Sequence, residues 1–422
     1  MQFQKTILKN NLRLITAPLK NTQTVTILIM VQAGSKYETK AIGGISHFLE
    51  HMFFKGTKKR PSTLAIASEL DAMGVEYNAF THKEYTGYWI KAHQNKLDSI
   101  LEVISDMFQN SLLAPSEIER EKMVILEEMK MYQDLPMQYV GCLFEKLLYG
   151  NQPAGRMIIG EKESVLSINR EKLINYLQDH YGAQETIILV AGNLQNSQIE
   201  EKIQARFNLI KDKSKARKLK VKEQQTRSEV LLHPKNTDQT HLIIGARTID
   251  FFHPDKYTAA IFATILGGNM SSRLFIKIRE RMGLAYYIKA ENETYTDSGY
   301  LAIQAGVDNS KVEQAIQAII NELKLIKEQG VDQKELQKAK DYLKGSLYLN
   351  LETSDEIAFW LGEQEAAKEE ILLPQEVERK LDAVKKEDLQ RFVLEHFIGE
   401  KFNLALIGPI DNDEKIKNII DL

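Results

Sequence analysis

The sequence predicts an α+β fold of two homologous domains, each a mixed, mostly antiparallel β-sheet layered with α-helices. In the first half of the chain, hairpin-like strands alternate with helical segments, which is typical of a sheet covered by helices. A helix–loop–strand segment then occurs twice in the same register, and such repetition indicates homologous domains. The length of 422 residues agrees, because it exceeds what one ordinary hydrophobic core holds.

Strands open the first domain. The N-terminal residues alternate between polar and apolar side chains, like a β-hairpin whose turn lies at Asn10-Asn11. Residues 24–31 form an apolar run of strand length. Residues 75–80 and 85–90 are two further strand-like segments around a short polar stretch. We therefore expect hairpins, and with them antiparallel pairing, in this domain.

Helices fill the intervals between these strands. One helix is predicted over roughly residues 42–55, ending at Gly56, and another over residues 62–73, ending at Gly74, because glycine commonly ends a helix. Residues 97–108 have an amphipathic helical pattern. Together with the hairpins, these helices predict a sheet with helical layers.

The repeated segment comprises residues 170–193 and 386–409, which align without gaps. Each copy consists of a helix, a short loop and a buried strand that ends at glycine. His180 and His396 occupy the same position in the two copies, so we expect both to be structural residues rather than metal ligands. Two copies in one register predict two homologous domains.

A basic, polar stretch marks the boundary between the domains. Residues 209–228 show no apolar period, which suits an exposed linker between domains at 1–208 and 229–422. A nucleic-acid patch is the alternative interpretation of this basic run. It is disfavoured, because no aromatic residues are interleaved and the whole chain carries a net charge of −3.

Composition favours a globular protein that works inside a bacterial cell. The chain is 43% hydrophobic and 27% charged, which are globular values. Its single cysteine, Cys142, rules out a disulfide framework, so nothing indicates secretion. The N-terminus does not resemble a signal or transit peptide, and no apolar run reaches membrane-spanning length. We expect a cytoplasmic protein that binds neither nucleic acid nor membrane.

One pentapeptide, His47-Phe-Leu-Glu50-His51, indicates a chemistry. Two histidines four residues apart lie on the same face of a helix and can present their rings to one zinc ion. Glu50 borders that face and can take a proton from a water bound to zinc. The order of residues is the inverzincin signature. A pair of surface or capping histidines on an amphipathic helix is the competing interpretation.

A second predicted helix offers a third ligand. It opens with a capping box at residues 116–119. Glu121 and Glu128 are seven residues apart on one face, with Val124 and Ile125 between them on that face. A carboxylate on an apolar stripe carries a desolvation cost unless it is paired or bound to a metal. Taken alone, Glu128 is equally compatible with an ordinary exposed helix position.

The two motifs together resemble the pitrilysin-type zinc metallopeptidases, the family of insulin-degrading enzyme and the mitochondrial processing peptidase β subunit. Glu128 lies in Val-Ile-Leu-Glu-Glu-Met, after the histidine motif. Residues 43–57, Gly-Gly-Ile-Ser-His-Phe-Leu-Glu-His-Met-Phe-Phe-Lys-Gly-Thr, are similar to the processing-peptidase branch. The resemblance extends over essentially the whole chain.

This resemblance implies roles for five residues in the first domain. His47, His51 and Glu128 would bind one Zn2+ per chain. Glu50 would be the general base, and Glu121 would be the additional glutamate that lies near the metal and supports catalysis.

The resemblance also implies a substrate strand within residues 74–81. In related peptidases the corresponding strand is a sheet edge that pairs with the backbone of an extended peptide, a form of β-augmentation. Asn78, Ala79 and Phe80 would then contact the substrate. From the residues alone, an interior strand is about as well supported.

The spacing of Arg279 and Tyr286 resembles the arginine–tyrosine pair of the family, which would bind the substrate backbone and stabilise the oxyanion. An ordinary helix arginine and strand tyrosine would give the same pattern. The histidine motif is absent from this second half. Long relatives enclose a chamber with four such domains, so the resemblance implies that this chain dimerises. Arg279 and Tyr286 would act in trans on the partner's zinc, and a homodimer is favoured because one chain carries both sets.

The expected function is therefore zinc-dependent endopeptidase activity on peptides or presequence-like extended segments, inside a chamber that the dimer encloses. Two alternatives stay open. The chain would be a non-catalytic core subunit of the same fold, or the histidine pair would belong to a structural metal site, which needs a fourth protein ligand.

Overall fold

In the computed structural model, the described residues are 1–194, 198–212, 217–368, 370–410, 416 and 419. The chain forms two compact units, and each unit is assembled from three stretches. Unit 1 consists of Met1–Lys130, Arg156–Leu219 and Tyr348–Leu373. Unit 2 consists of Met131–Gly155, Lys220–Leu347 and Pro374–Leu422. Within the described residues, no helix is both long and apolar enough to cross a membrane.

The elements of the first half of the chain are β1 (Gln4–Ile7), β2 (Arg13–Pro18), β3 (Thr24–Val31), α1 (Ile45–Met52), α2 (Thr63–Met73), β4 (Glu76–Thr81), β5 (Thr86–His93), α3 (Leu97–Asn110), α4 (Pro115–Gln133), α5 (Pro136–Tyr149), α6 (Lys162–Ser167), α7 (Arg170–His180), β6 (Thr186–Gly192) and α8 (Ile199–Phe207). Those of the second half are β7 (Glu229–Pro234), β8 (Gln239–Arg247), α9 (Lys256–Gly267), a π-helix (Phe275–Arg281), β9 (Ala285–Tyr295), β10 (Ser298–Asp308), α10 (Val312–Gln329), α11 (Gln333–Leu349), α12 (Ser354–Ala366), α13 (Pro374–Ala383), α14 (Lys386–His396) and β11 (Phe402–Gly408).

Each unit is built on one β-sheet, and the two sheets have corresponding strand orders. The sheet of unit 1 runs β1-β2-β6-β3-β5-β4, and that of unit 2 runs β7-β11-β8-β10-β9. One pair in each sheet is parallel, β2 with β6 and β7 with β11, while the other pairs are antiparallel. The predicted α+β fold, mostly antiparallel and covered by helices, is confirmed.

The repeated segment adopts the same structure twice. Helix α7 and strand β6 of the first copy correspond residue for residue to α14 and β11 of the second. The two repeat histidines contact an aromatic ring four residues earlier. His180 stacks on Tyr176 with ring centroids 4.1 Å apart, and His396 lies against Phe392 at 4.7 Å. These contacts within one helix fit the structural role that the repeat predicts for both histidines.

Each unit contains one helical segment that comes from the other half of the chain. Helix α12, from the second half of the chain, packs on the sheet of unit 1, where Ile357 and Leu361 join the core residues Leu28 and Leu189. Helix α5, from the first half, packs on the sheet of unit 2. The compact units therefore differ from the contiguous stretches 1–208 and 229–422. Of the predicted linker 209–228, residues 213–216 lie outside the described residues, and residues 217–228 contain no helix or strand.

Two predicted helix starts were wrong. The helix with the histidine motif begins only at Ile45, because Gly44 adopts a left-handed conformation with φ of 91° that a continuous helix does not allow. It ends at Met52 rather than near Gly56. Helix α4 begins at Pro115, whose fixed φ suits the first helical position. Ser116 therefore lies inside the helix and does not cap it.

Candidate metal centre

Helices α1 and α4 bring the three predicted ligands of unit 1 together. The Nε2 atom of His47 lies 3.7 Å from one carboxylate oxygen of Glu128, and that of His51 lies 3.6 Å from the other. One possible ligand atom from each residue lies within 4.8 Å of those from the other two. The two imidazole rings are 4.6 Å apart, as the spacing of one helical turn predicts.

The chemistry of this donor set fits zinc. The distances to Glu128 exceed those of hydrogen bonds, and its buried Oε2 atom has no hydrogen-bond partner among the described residues. Burial, reinforced by the neighbouring His51, lowers the pKa of His47 to about 3, so its ring is neutral as a metal ligand must be. Two imidazoles and one carboxylate match the ligands of catalytic zinc sites.

Glu121 contacts His51 and Lys55 rather than joining the three ligands. Its carboxylate is almost fully buried, at 2% exposure, with one oxygen 2.7 Å from Nδ1 of His51 and the other 2.7 Å from Nζ of Lys55. Burial alone would raise the pKa of Glu121, but these two partners outweigh it and hold the pKa below its usual range. A carboxylate at Nδ1 selects the tautomer of His51 in which Nε2, the atom facing Glu128, is free to bind a metal.

Glu50 lies beside the ligands and is held by a strand. Its Oε2 atom accepts a hydrogen bond of 2.6 Å from the hydroxyl of Thr81, at the end of β4. Burial raises the pKa of Glu50, although the Thr81 hydrogen bond opposes the shift. An open pocket of about 220 Å3 adjoins this carboxylate. Its lining residues are Glu50, His51, Phe54, Lys55, Asn78, Ala79 and Glu121.

Strand β4 is the edge of its sheet, as the family resemblance implies. Asn78 and Ala79 line the pocket, so the metal centre and the free edge of the strand are adjacent. Phe80 is different. Its ring packs against Phe359 of α12 with centroids 5.5 Å apart, and it covers Gly87 of the neighbouring strand. The structure therefore does not bring the Phe80 side chain into the pocket.

Several pocket residues were missed from the sequence. Phe54 and Lys55 follow the histidine motif within about one helical turn, so extending the helical spacing past His51 would have indicated them. Thr81 gives no local signal, because strand geometry alone brings it to Glu50. The predicted apolar stripe on α4 is only half correct: Ile125 is buried, but Val124 is 46% exposed.

Arg279 and Tyr286 belong to unit 2. Arg279 lies in the π-helix, with its guanidinium carbon 4.6 Å from the centre of the Phe275 ring. Tyr286 lies in the edge strand β9 and is 58% exposed. The metal centre lies wholly within unit 1, so a shared site with these two residues stays a prediction.

Comparison with known proteins places the whole chain. Residues 13–162 match the family model described as insulinase (peptidase family M16), and residues 167–343 match the peptidase M16 inactive domain. An uncharacterized zinc protease of Bacillus subtilis, YmxG, is 37% identical over 404 residues, covering 96% of this chain and 98% of that protein. The mouse mitochondrial-processing peptidase subunit beta is 30% identical over 421 residues, covering 97% and 85%.

A solved structure agrees on the fold. The crystal structure of a protease from Helicobacter pylori superposes with a TM-score of 0.91 at 23% sequence identity, covering 97% of this chain and 99% of that one. Because the sequence relatives extend over nearly the full length, the family does not rest on one motif. This chain belongs to the M16 peptidases, the pitrilysin-type family of zinc proteases, in its short two-domain branch.

Proposed function

We propose that this protein is a zinc-dependent endopeptidase that cuts peptides or presequence-like segments in extended conformation. One observation carries the proposal: His51 of the three-residue donor set, the Glu50 carboxylate and the edge strand β4 all line one open pocket. A structural metal site would bury the ion among four protein ligands, whereas three ligands beside a pocket leave a position for water.

His47, His51 and Glu128 would hold the ion. Zinc, when bound there, would acidify a water molecule and polarise the carbonyl group to be cut. Glu50 takes the proton from that water and later passes it to the leaving amine. The hydroxyl of Thr81 donates a hydrogen bond to one carboxylate oxygen of Glu50, so the other oxygen is the one that accepts the proton.

The substrate would add a strand to the edge of β4. An edge strand offers unpaired backbone N–H and C=O groups, which bind any extended peptide and give little side-chain selectivity. Asn78 and Ala79 lie in the pocket and contact this peptide. Phe80 contributes its backbone alone, because its ring packs behind the sheet.

The second unit would complete the site from a partner chain. We propose a homodimer in which Arg279 and Tyr286 of one protomer bind the substrate backbone and the oxyanion at the other protomer's zinc. The exposure of Tyr286 and its place on an edge strand support this role. So does the presence of both residue sets in one chain, which gives a symmetric dimer two equivalent sites.

The test compares the purified protein with Glu50→Gln. We expect about one zinc per chain in both proteins, measured by mass spectrometry of the metal. The unmodified protein should cleave a quenched peptide and stop when a chelator is added. Loss of the general base should lower turnover by a factor of about 100 to 10,000. As the matched control, Glu127→Gln changes an exposed glutamate of α4 and should keep full activity.

Each failure has a distinct meaning. Full activity of Glu50→Gln would show that the base is another residue. Zinc binding without any cleavage of a mixed peptide library would favour the non-catalytic subunit. A chain that binds no zinc would contradict the metal centre itself.

A further inference from the structure

We propose that Tyr287, through a hydrogen bond to His241, positions Tyr286 for catalysis by fixing a β-bulge. The inference rests on the proposed role of Tyr286 at the active site. It gives a positioning role to three residues of unit 2 that take no direct part in the reaction: Tyr287, His241 and Gly306.

The bulge lies at the start of β9. Along its antiparallel pairing with β10, Tyr287 lies opposite Gly306, but the next residue of β10, Val307, lies opposite Ala285. Tyr286 is therefore an extra residue without a partner across the strands. Bulges of this kind redirect side chains and occur often beside active sites.

The bulge decides which way Tyr286 points. Side chains alternate between the two faces of a regular strand, so residues 286 and 288 would share a face. Ile288 is buried in the core of unit 2, and a regular strand would send the tyrosine there as well. With the extra residue, Ala285 takes the core position and Tyr286 is left 58% exposed.

The side chain of Tyr287 extends across strand β10 and forms a hydrogen bond with a residue of β8. Gly306 pairs with Tyr287 of β9 on one side and with His241 of β8 on the other, so the three residues form one row. The hydroxyl of Tyr287 reaches over this row to Nδ1 of His241, at 3.0 Å. A side chain at position 306 would block it, since a Cβ atom there would lie 2.4 Å from the ring.

This row fixes the last regular pair before the bulge. A slip of one residue would remove the bulge and return Tyr286 to the core face, and it would also break the Tyr287–His241 bond. Burial raises the pKa of Tyr287 to about 12 and lowers that of His241. The hydrogen bond therefore joins a protonated phenol to a neutral imidazole.

The experiment measures kcat and KM on a quenched peptide for four variants: Tyr286→Phe, Tyr287→Phe, His241→Phe and the double variant Tyr286→Phe/Tyr287→Phe. Loss of an oxyanion donor in Tyr286→Phe should lower kcat about 100-fold. Tyr287→Phe and His241→Phe remove the same bond from opposite ends. Each should lower kcat about five- to tenfold with KM nearly unchanged, because binding is kept and the donor is misdirected.

A matched control separates positioning from stability. Tyr295→Phe removes a hydroxyl from the far end of the same strand, where it donates to Glu145 at 2.6 Å. It should reduce thermal stability about as much as Tyr287→Phe but leave kcat unchanged. The double variant should be no slower than Tyr286→Phe alone, because a missing hydroxyl no longer needs positioning.

The outcomes separate the inference from the function on which it rests. Full kcat in Tyr286→Phe would remove the proposed role of that hydroxyl and the inference with it. A slow Tyr286→Phe beside a fully active Tyr287→Phe would overturn only the positioning role. The positioning role would also be overturned if the losses of kcat in the two single variants multiplied in the double variant.

Discussion

At the candidate metal centre, the orientation of the His51 ring depends on two residues outside the predicted ligand set. Its Nδ1 atom lies 2.7 Å from Glu121, whose other oxygen lies 2.7 Å from Lys55. A nearly fully buried carboxylate is costly unless positive or donating groups face it. Lys55 and His51 both do so, and in return Glu121 fixes the orientation of the His51 ring.

Removing the charge of Lys55 should therefore weaken zinc binding without touching a ligand. We expect Lys55→Met, which keeps the length of the side chain, to lower zinc affinity about tenfold, and Glu121→Gln to lower it about 10- to 100-fold, as partners of metal ligands generally do. Competition with a chromophoric chelator measures both. The matched control is Lys130→Met, which breaks an exposed ion pair with Glu127 on the same helix α4. Affinity within twofold of the original in Lys55→Met would contradict the positioning role.

Among the secondary-structure elements, α1 is short and depends on a cap from outside the helix. The carboxylate of Glu38 accepts hydrogen bonds from the backbone N–H groups of Gly44 at 2.7 Å and Ser46 at 2.9 Å. Such groups have no acceptor within the helix itself, so an acceptor from outside must meet them. Glu38 is buried, at 4% exposure, so water cannot replace it.

Replacing this cap should loosen the helix that carries both histidines. In Glu38→Gln one oxygen becomes an amide that cannot accept, which leaves a buried N–H unpaired at a cost of about 1–3 kcal/mol. We expect hydrogen exchange of the α1 amides to accelerate about tenfold or more, measured by mass spectrometry of peptides covering residues 43–52. Glu119→Gln, an exposed glutamate of α4, is the control and should change nothing there. Unchanged exchange in Glu38→Gln would mean that tertiary packing alone holds α1.

Some boundaries and contacts of these elements could be predicted from the sequence, and others could not. Periodicity and glycine placed β3 and the end of α2 correctly, because those signals are local. The true start of α1 depends on a carboxylate supplied from six residues before Gly44, and the Thr81–Glu50 contact depends on how a strand packs beside a helix. The proximity of His47 and His51 was predictable, because residues four apart in a helix lie one turn from each other.

In the whole molecule, the exchange of α5 and α12 had no signal in the sequence. The repeat indicates two similar domains, but the assignment of an amphipathic helix to one sheet or the other depends on packing. Buried polar contacts hold α12 in unit 1: the 2%-exposed side chain of Glu365 lies 2.6 Å from Lys5 and 2.8 Å from Arg13. The second half of the chain therefore contributes a helix to the core of the unit that contains the candidate metal centre.

The trans arrangement is testable with two defective chains. Glu50→Gln and Tyr286→Phe, carrying different affinity tags, are co-expressed, and the mixed dimer is isolated through both tags. In this dimer one site has both defects, while the other combines an intact Glu50 with an intact Tyr286 from the partner. We therefore expect about half the activity of the unmodified dimer, although each variant alone is nearly inactive. A quenched peptide measures all of these rates.

A second mixed dimer supplies the control. When an unmodified chain pairs with a chain that carries both substitutions, each of the two trans sites contains one defect, so this dimer should be nearly inactive. If the pair acted within one chain, the results would reverse: the doubly substituted partner would leave one intact site, and the first mixed dimer would recover nothing. Failure to isolate any mixed dimer through both tags would contradict the homodimer itself. The two dimers contain the same substitutions and differ only in how these are distributed between chains, so general loss of stability cannot produce the predicted contrast.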